Sequence, residues 1–450
     1  VKIPGKPINA HLIHDIEQEM RDMIANNTPI VKHSIPRQEA IELFQAHGRK
    51  GKAALIASLP HSMISIYTCC NYPDYLYGAM LPETKLLGQF ALDVEQSGVL
   101  IRTPDEMTDG KIRTRVEQPK FEHILSEAKE WAKILECPYI SDLNQINNEH
   151  RMGELIRISE ALQEKRIAQI ADHIASHRNN IRLILIAGPS SSGKTSFAQR
   201  LQIQLRVNGL HPIMISLDDY FLNREDTPRN EKGEYDYESI DAIDTALFNQ
   251  NMLELLNGHK VQIPYYNFIS GRREWRDDNF LRLKEDQPII IEGIHGLNER
   301  LTADIARKNK YKIYISALTQ LNIDAHNRIP TTEVRFLRRL VRDHQFRGAK
   351  AIKTIKQWPD VRAGEEKYIF PFQEEADVLF NSALIYEIGV LKKYAVPLLE
   401  AIDRGEEGYT EARLILRFLQ YVDEIHDIDD IPNNSIFREF IGKSVFFKEK

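Results

Sequence analysis

The sequence predicts an α/β protein: a parallel sheet with helices on both faces, preceded by a smaller α+β domain. Three observations carry this. From residue 181 onward, near-continuous apolar runs (182–187, 212–216, 288–291, 312–315 and 376–380) alternate with helical patterns, as strands buried on both faces do. A glycine-rich loop follows the first of these runs directly. Before residue 142, helical segments instead mix with short runs at 53–57, 64–68 and 98–102 that read as strands.

The elements follow in order. Residues 11–26 place Leu12, Ile16, Met20, Met23 and Ile24 on one helical face. Residues 34–46 read as a second helix, with Ser34 as N-cap and Pro36 near its first turn. A third helix covers 121–136. A charged, half-apolar helix over 144–178 reads as a connector. After the sheet come a helix over 411–425, an acidic run at 423–430 and a closing amphipathic segment, 431–444, which is expected to dock on the rest of the chain. The expected division is 1–142, a connector 143–180, a main domain 181–400 and a helical tail 401–450.

Composition narrows the classes. The chain has 450 residues, 42% hydrophobic and 28% charged, enough for a substantial core and unlike a disordered or collagenous chain. No apolar run approaches the roughly 18 residues that span a bilayer. The 59 basic and 65 acidic residues give a net charge of −6, so a global basic field for nucleic acid is absent. Three cysteines, Cys69, Cys70 and Cys137, make no disulfide framework and point to a reducing, cytoplasmic setting. The chain opens on Val1, which reads as a fragment or a processed chain.

Gly188-Pro189-Ser190-Ser191-Ser192-Gly193-Lys194-Thr195 fits G-x-x-x-x-G-K-[ST], between a strand and a helix that begins at Ser196. This is a P-loop, and it makes the sheet a P-loop NTPase sheet. Residues 188–196 are therefore the expected ATP-binding segment. Backbone N–H groups face the phosphates, Lys194 reaches the β/γ-phosphates and Thr195 coordinates Mg²⁺. The next strand ends in Ser216-Leu217-Asp218-Asp219-Tyr220-Phe221. Asp218 is favoured over Asp219 as the carboxylate that takes a proton from an attacking hydroxyl, and it can also hold the metal. Glu292 ends the run 288–291 at the Walker-B position, a third metal ligand beside Thr195 and Asp218. Arg335, Arg338, Arg339 and Arg342 fall at helical spacing on one side, with Arg347-Gly348 after them. They read as a phosphate-clamping lid, with Arg342 and Arg347 catalytic.

At these residues the chain resembles the uridine kinase branch of the phosphoribulokinase/uridine kinase family. The matching blocks are the P-loop, 216–221, Tyr235-Asp236-Tyr237-Glu238 with Asp241 and Asp244, Ile263-Pro264-Tyr265-Tyr266-Asn267-Phe268, Ile291-Glu292-Gly293 and 339–348. The resemblance implies ATP and Mg²⁺ as cofactors and Asp218 as general base on a ribose 5′-hydroxyl. It also implies Asp236 near the ribose hydroxyls, Tyr266 beside the base, and Arg339, Arg342 and Arg347 near substrate and phosphates. Tyr220, next to the catalytic pair, joins the expected substrate-binding residues. Such kinases typically show a His after the Tyr-Asn-Phe block, where this chain has Ser270-Gly271-Arg272.

The first domain resembles the second additional domain of threonyl-tRNA synthetase, on 28–44, Ile66-Tyr67-Thr68 and the stretch from Asp74 to Thr84. In such fusions a small ubiquitin-like TGS domain usually lies upstream. His11 and His14 have the wrong spacing for that domain's metal pair, and Leu76 and Met80 stand where its Cys and His would be, so metal-dependent editing is not expected.

The expected function is therefore an ATP- and Mg²⁺-dependent kinase acting on a hydroxyl of a small metabolite, with the nucleoside 5′-hydroxyl as first choice. A sugar phosphate or pantothenate-like acceptor is the in-family alternative. A tRNA-binding regulator that uses the P-loop as a nucleotide sensor is the alternative from another class. A homo-oligomer with no membrane partner is expected.

Overall fold

The computed structural model describes residues 8–76, 78–95, 98–104, 109–230, 233–284 and 286–447. Val1, on which the reading of a processed start rests, lies outside them.

The region before the connector holds α1 (Ala10–Ala25), β1 (Ile30–Pro36), α2 (Arg37–Ala46), α3 (Lys50–Ser58), β2 (Met63–Cys69), β3 (Tyr72–Asp74), β4 (Ala91–Glu95), β5 (Gly98–Arg102), α4 (Pro119–Ile134) and α5 (Ile140–Asn148). β1, β2 and β3 form an antiparallel sheet, and β4 pairs with β5. Two expectations change here. Residues 53–57, expected as a strand, lie inside α3. Ala-Ala-Leu-Ile-Ala has one β-branched residue and no alternation, and Ala and Leu favour helix. Ser34 is not a helix cap but pairs with Ser65 in the sheet, and α2 starts only after Pro36, whose φ of −55° and ψ of 143° close the strand. The connector is also two helices: α5 stops at Asn148, His150 takes φ +57°, and α6 (Met152–Ser176) follows.

The five apolar runs become one parallel sheet: β6 (Leu183–Ala187), β7 (Ile213–Ser216), β12 (Ile289–Glu292), β13 (Lys310–Ser316) and β14 (Val378–Asn381), in the spatial order β14-β13-β6-β12-β7. Between β7 and β12 lie α8 (Thr245–Leu256) and four short strands. These are β8 (Val261–Gln262), β9 (Tyr265–Asn267), β10 (Arg272–Glu274) and β11 (Phe280–Leu281), paired β9 with β10 and β8 with β11. Helix α7 (Lys194–Val207) covers one face together with α6. Then come α9 (Thr331–Arg347), α10 (Ala351–Tyr368), α11 (Glu387–Glu400), α12 (Tyr409–Leu419) and α13 (Arg438–Ile441).

β6 and β13 are buried throughout, and all five residues of β6 are 0% exposed. Leu183, Leu185 and Ile291 point to one side, where Phe248 and Met252 of α8 close the core. Ile184, Ile186 and Ile290 point to the other, against Phe197, Leu201 and Leu205 of α7. Among the described residues, no helix is long and apolar enough to cross a membrane.

The closing segment docks on the sheet domain, beside the P-loop. Ile436 joins the α7 core, and Phe437 and Phe440 are buried, with Phe437 edge-on to Tyr386. Arg438 ties the turn by donating to the carbonyls of Ile428 and Ile431. Phe437→Ala should cost about 3–5 kcal/mol of stability. Chemical denaturation checks it, and a cost below about 1 kcal/mol would show that the segment is not held by this ring.

Candidate active site

Parallel strands deliver their C-terminal ends to one crevice. β12 lies between β6 and β7 with Glu292 level with Ile186 on one side and Ser216 on the other. The P-loop leaves β6, Glu292 ends β12, and Asp218 follows β7 in a 3₁₀ turn that Ser216 caps by accepting from the Asp218 N–H at 3.3 Å. All three therefore border the same cleft, of about 710 Å³.

The loop's geometry explains its glycines. A Cβ on Gly188 would sit 2.0 Å from the Ile315 carbonyl oxygen, so only glycine fits against β13. Gly193 has φ +82° and starts α7 in the left-handed region. Lys194 folds back over the loop, donating to the carbonyls of Gly188 at 2.9 Å and Pro189 at 3.2 Å. The hydroxyls of Ser191 and Ser192 are buried without a hydrogen-bond partner among the described residues. Such orphans in a loop of inward-facing amides suit phosphate oxygens.

Thr195 Oγ1 donates to Glu292 Oε1 at 3.0 Å. Burial pushes the Glu292 carboxyl up, Lys194 opposes this, and Asp218 and Glu439 add to it. Asp218 is raised to about 6, first by its deep setting, with Lys194 opposing and Asp219 and Glu238 reinforcing. Its side chain nonetheless opens to water in the cleft, which tempers that shift. Asp219 does different work: it accepts from the Tyr266 N–H at 3.2 Å and pins β9.

The expected arginine stripe divides in two. Arg335 and Arg338 are 1% and 0% exposed. Arg335 grips Glu365 with two bonds of 2.5 and 2.7 Å and donates to the Ser190 carbonyl at 3.1 Å. Arg338 pairs with Glu387 and donates to the Ser191 and Ser382 carbonyls. These two hold the P-loop from behind. Arg339, Arg342 and Arg347 line the cleft. All three converge on buried Asp343, at 3.3, 2.9 and 3.3 Å, and Arg339 also donates to Ser190 Oγ at 2.8 Å. Helix α9 is a packed wall rather than a free lid, since Val334, Phe336, Leu337, Leu340 and Val341 are all buried. Burial pulls the guanidinium pKa values of Arg339 and Arg347 down and the neighbouring Arg342 adds to this, against the upward pull of Asp343 on both, of Glu238 and Glu365 on Arg339 and of Glu439 on Arg347.

Other expected substrate residues sit elsewhere. Tyr220 is 0% exposed, edge-on to Phe248, with Asn251 donating to its hydroxyl; it is core, because the turn that presents Asp218 aims the next-but-one side chain inward. Tyr266 is 3% exposed and packs between Phe221 and Phe268. Asp236 accepts from the Tyr368 hydroxyl at 2.9 Å and from the Glu238 N–H at 3.2 Å, and is held there.

The cleft contains carboxylates that sequence reasoning did not assign. Glu238 lines it, raised by burial and by Glu365. Glu365 also accepts from the Ser190 N–H at 2.9 Å. Glu439, from the closing segment, accepts from Ser196 Oγ at 2.7 Å. Glu238 lay within a recognisable block; nothing in the spacing of Glu439 signalled it.

In the first region, His11 and His14 are exposed, and His11 pairs with Asp15. Among the described residues, no group of three or more His, Cys, Asp or Glu side chains could hold a metal. Glu292, Asp218 and Thr195 supply two carboxylates and a hydroxyl, the small protein share that Mg²⁺ takes when phosphates complete its shell.

Residues 183–386 match the phosphoribulokinase / uridine kinase family. A uridine kinase of Staphylococcus aureus (strain JH9) is 30% identical over 198 residues, which cover 44% of this chain and 86% of that one. A uridine kinase of Saccharomyces cerevisiae is 31% identical over 203 residues, again 44% of this chain but 36% of that longer one. A solved structure described as a possible uridine kinase from Bacillus stearothermophilus aligns with 48% of this chain and 98% of that chain, at 20% identity and a TM-score of 0.33. The chain belongs to the phosphoribulokinase / uridine kinase family, and its P-loop crevice is that of a kinase domain.

Two predictions follow from this geometry. Arg338→Ala leaves Glu387 buried without its partner and should cost about 3–5 kcal/mol in a denaturant titration, far more than an exposed arginine would. An unchanged midpoint would remove Arg338 from its supporting role. His295, 1% exposed beneath the 236–239 loop, is driven down to about 4 by burial, against the weaker upward pull of the Glu238 and Ser239 backbone and of Asp236 and Asp241. An unfolded His titrates near ~6.5, so the unfolded state binds the extra proton first. The stability tied to neutral His295 is complete above that pH and falls away as pH drops toward about 4. In thermal melts, His295→Asn should flatten this acid decline; an identical slope would refute the assignment.

Proposed function

We propose that the protein is an ATP- and Mg²⁺-dependent kinase that phosphorylates a hydroxyl of a small metabolite, with the 5′-hydroxyl of a nucleoside such as uridine as acceptor. The observation that carries this reading is the convergence of Lys194, Thr195, Asp218 and Glu292 on one cleft with three arginines held by a single carboxylate.

The residues divide the work. The P-loop amides and the orphaned Ser191 and Ser192 hydroxyls cradle the polyphosphate. Lys194 exchanges its two loop carbonyls for phosphate oxygens. Thr195, Glu292 and Asp218 would hold Mg²⁺, which supplies charge neutralisation at the phosphoryl oxygens. Asp218 accepts the acceptor hydroxyl's proton, and its raised pKa brings it closer to the pH at which it must act. Arg339, Arg342 and Arg347 face the charge that develops on the transferred group. Binding both substrates in line supplies the rest.

Uridine as acceptor is supported by the names of the relatives. The buried Tyr266 and the tethered Asp236 leave the base and ribose contacts to other cleft residues, of which Glu238 is the best placed. The test is ATP consumption against a panel of nucleosides, sugar phosphates and pantothenate. Uridine or another nucleoside should be phosphorylated, and Asp218→Asn should lower kcat by about 10²–10⁴-fold. A panel without any turnover would end the kinase reading, and full activity in Asp218→Asn would end the assignment of the base.

A further inference from the structure

We propose that Glu439, brought to the P-loop by the C-terminal segment, sets the affinity of the cleft for the donor polyphosphate by occupying, as the protein's own anion, a place that an incoming phosphate must share or take. This rests on the donor reading above and adds a determinant from outside residues 183–386, where the family match lies.

The segment that carries Glu439 is fixed. Ile436 packs so close to Gly193 that a Cβ there would sit 2.4 Å from its Cγ2. Ser435 donates to Glu160 at 2.5 Å, and the rings of Phe437 and Phe440 are buried. Glu439 is therefore held beside the loop rather than visiting it.

Its position is that of an anion. Ser196 is fully buried in the first turn of α7, and its hydroxyl donates to Glu439 Oε2 at 2.7 Å. The start of a helix that follows a P-loop carries unpaired N–H groups and positive potential, which favour negative charge. Glu439 meets both features with a carboxylate. The same charge is felt at Glu292 and at Arg347, on two other sides of the cleft. A polyphosphate seated in the loop brings further negative charge next to it, in a setting where water screens only partly. Phosphate and carboxylate then compete for Ser196, and like charges repel across a short distance. Removing the charge while keeping the shape relieves both.

Glu439→Gln does this: it is isosteric and still accepts from Ser196. The full-length wild type and Glu439→Gln are titrated calorimetrically with ATP and, separately, with inorganic tripolyphosphate, both with Mg²⁺, and KM is measured for ATP and for the acceptor. Both probes should bind roughly tenfold tighter to Glu439→Gln, the scale of one like charge removed at short, partly screened range. KM for ATP should fall and KM for the acceptor should stay. Glu439→Ala, which also frees Ser196, should tighten binding too, with matched melting curves confirming that each variant is folded. Unchanged or weaker binding would overturn the proposal and make Glu439 a buttress or a direct nucleotide ligand. A gain for ATP without one for tripolyphosphate would overturn it as well, because the carboxylate would then act on the nucleoside portion. If wild type binds ATP and the variant binds no tighter, this inference alone fails; if neither protein binds either probe, the donor reading fails with it.

Discussion

The cleft depends on how the P-loop is held from behind. A loop that binds phosphate through backbone amides must present them already oriented, because reorganisation during binding would cost the electrostatic advantage. Here two buried ion pairs, Arg335 with Glu365 and Arg338 with Glu387, reach the loop's carbonyls at Ser190 and Ser191. Buried pairs are weak evidence for stability, since desolvation offsets much of their attraction. Their value in this fold is positional. Each guanidinium bonds both its carboxylate and a loop carbonyl, so the loop's path is fixed by α9, α10 and α11 together.

The same helix faces both ways. Arg335 and Arg338 point into the support, and Arg339, Arg342 and Arg347 point into the cleft, where Asp343 gathers them. One carboxylate bonds all three guanidinium groups, while Glu238 and Glu365 act on Arg339 and Glu439 acts on Arg347 from farther off. Asp218, Glu238 and Glu292 are each raised first by burial and further by neighbouring carboxylates, with Lys194 a cation that opposes each shift. The cleft thus holds guanidinium, ammonium and carboxylate groups together at close range. Such a mixture of charges would suit a ligand that itself carries both signs, as a polyphosphate with a divalent cation does.

The sequence made much of this readable, and what it hid was hidden for physical reasons. The five sheet strands were visible because burial keeps 183–187, 213–215, 289–291, 313–315 and 378–380 apolar; the buried Lys310 and Lys312, both paired with Glu299, are the exceptions that blurred the start of β13. The P-loop and Asp218 were visible because their chemistry needs particular residues at fixed spacing. Side-chain direction was less accessible. The four arginines share a helical stripe in sequence, yet a helix packed on two sides buries Arg335 and Arg338 while Arg339 and Arg342 keep the edge. Tyr220 and Tyr266 were expected among the substrate-binding residues but are packed into the core. Glu439 could not be foreseen, because it meets Ser196 across 243 residues of chain through a tertiary fold that no local pattern encodes.

That fold also joins the two halves of the chain. Phe44, Leu55, Ile56 and Ile64 from α2, α3 and β2 belong to the same buried core as Leu337, Leu340 and Val341 of α9. Polar contacts reinforce the junction: Lys52 bonds Asp74 and reaches Asp324, Asn327 donates to the Tyr75 carbonyl at 3.1 Å, and His326 meets Asp74 at 2.6 Å. A closely packed core transmits displacement rather than absorbing it. The helix that carries the cleft-lining arginines and clamps the P-loop shares its core with the N-terminal region, and the loop that leads into it is tied there by polar contacts.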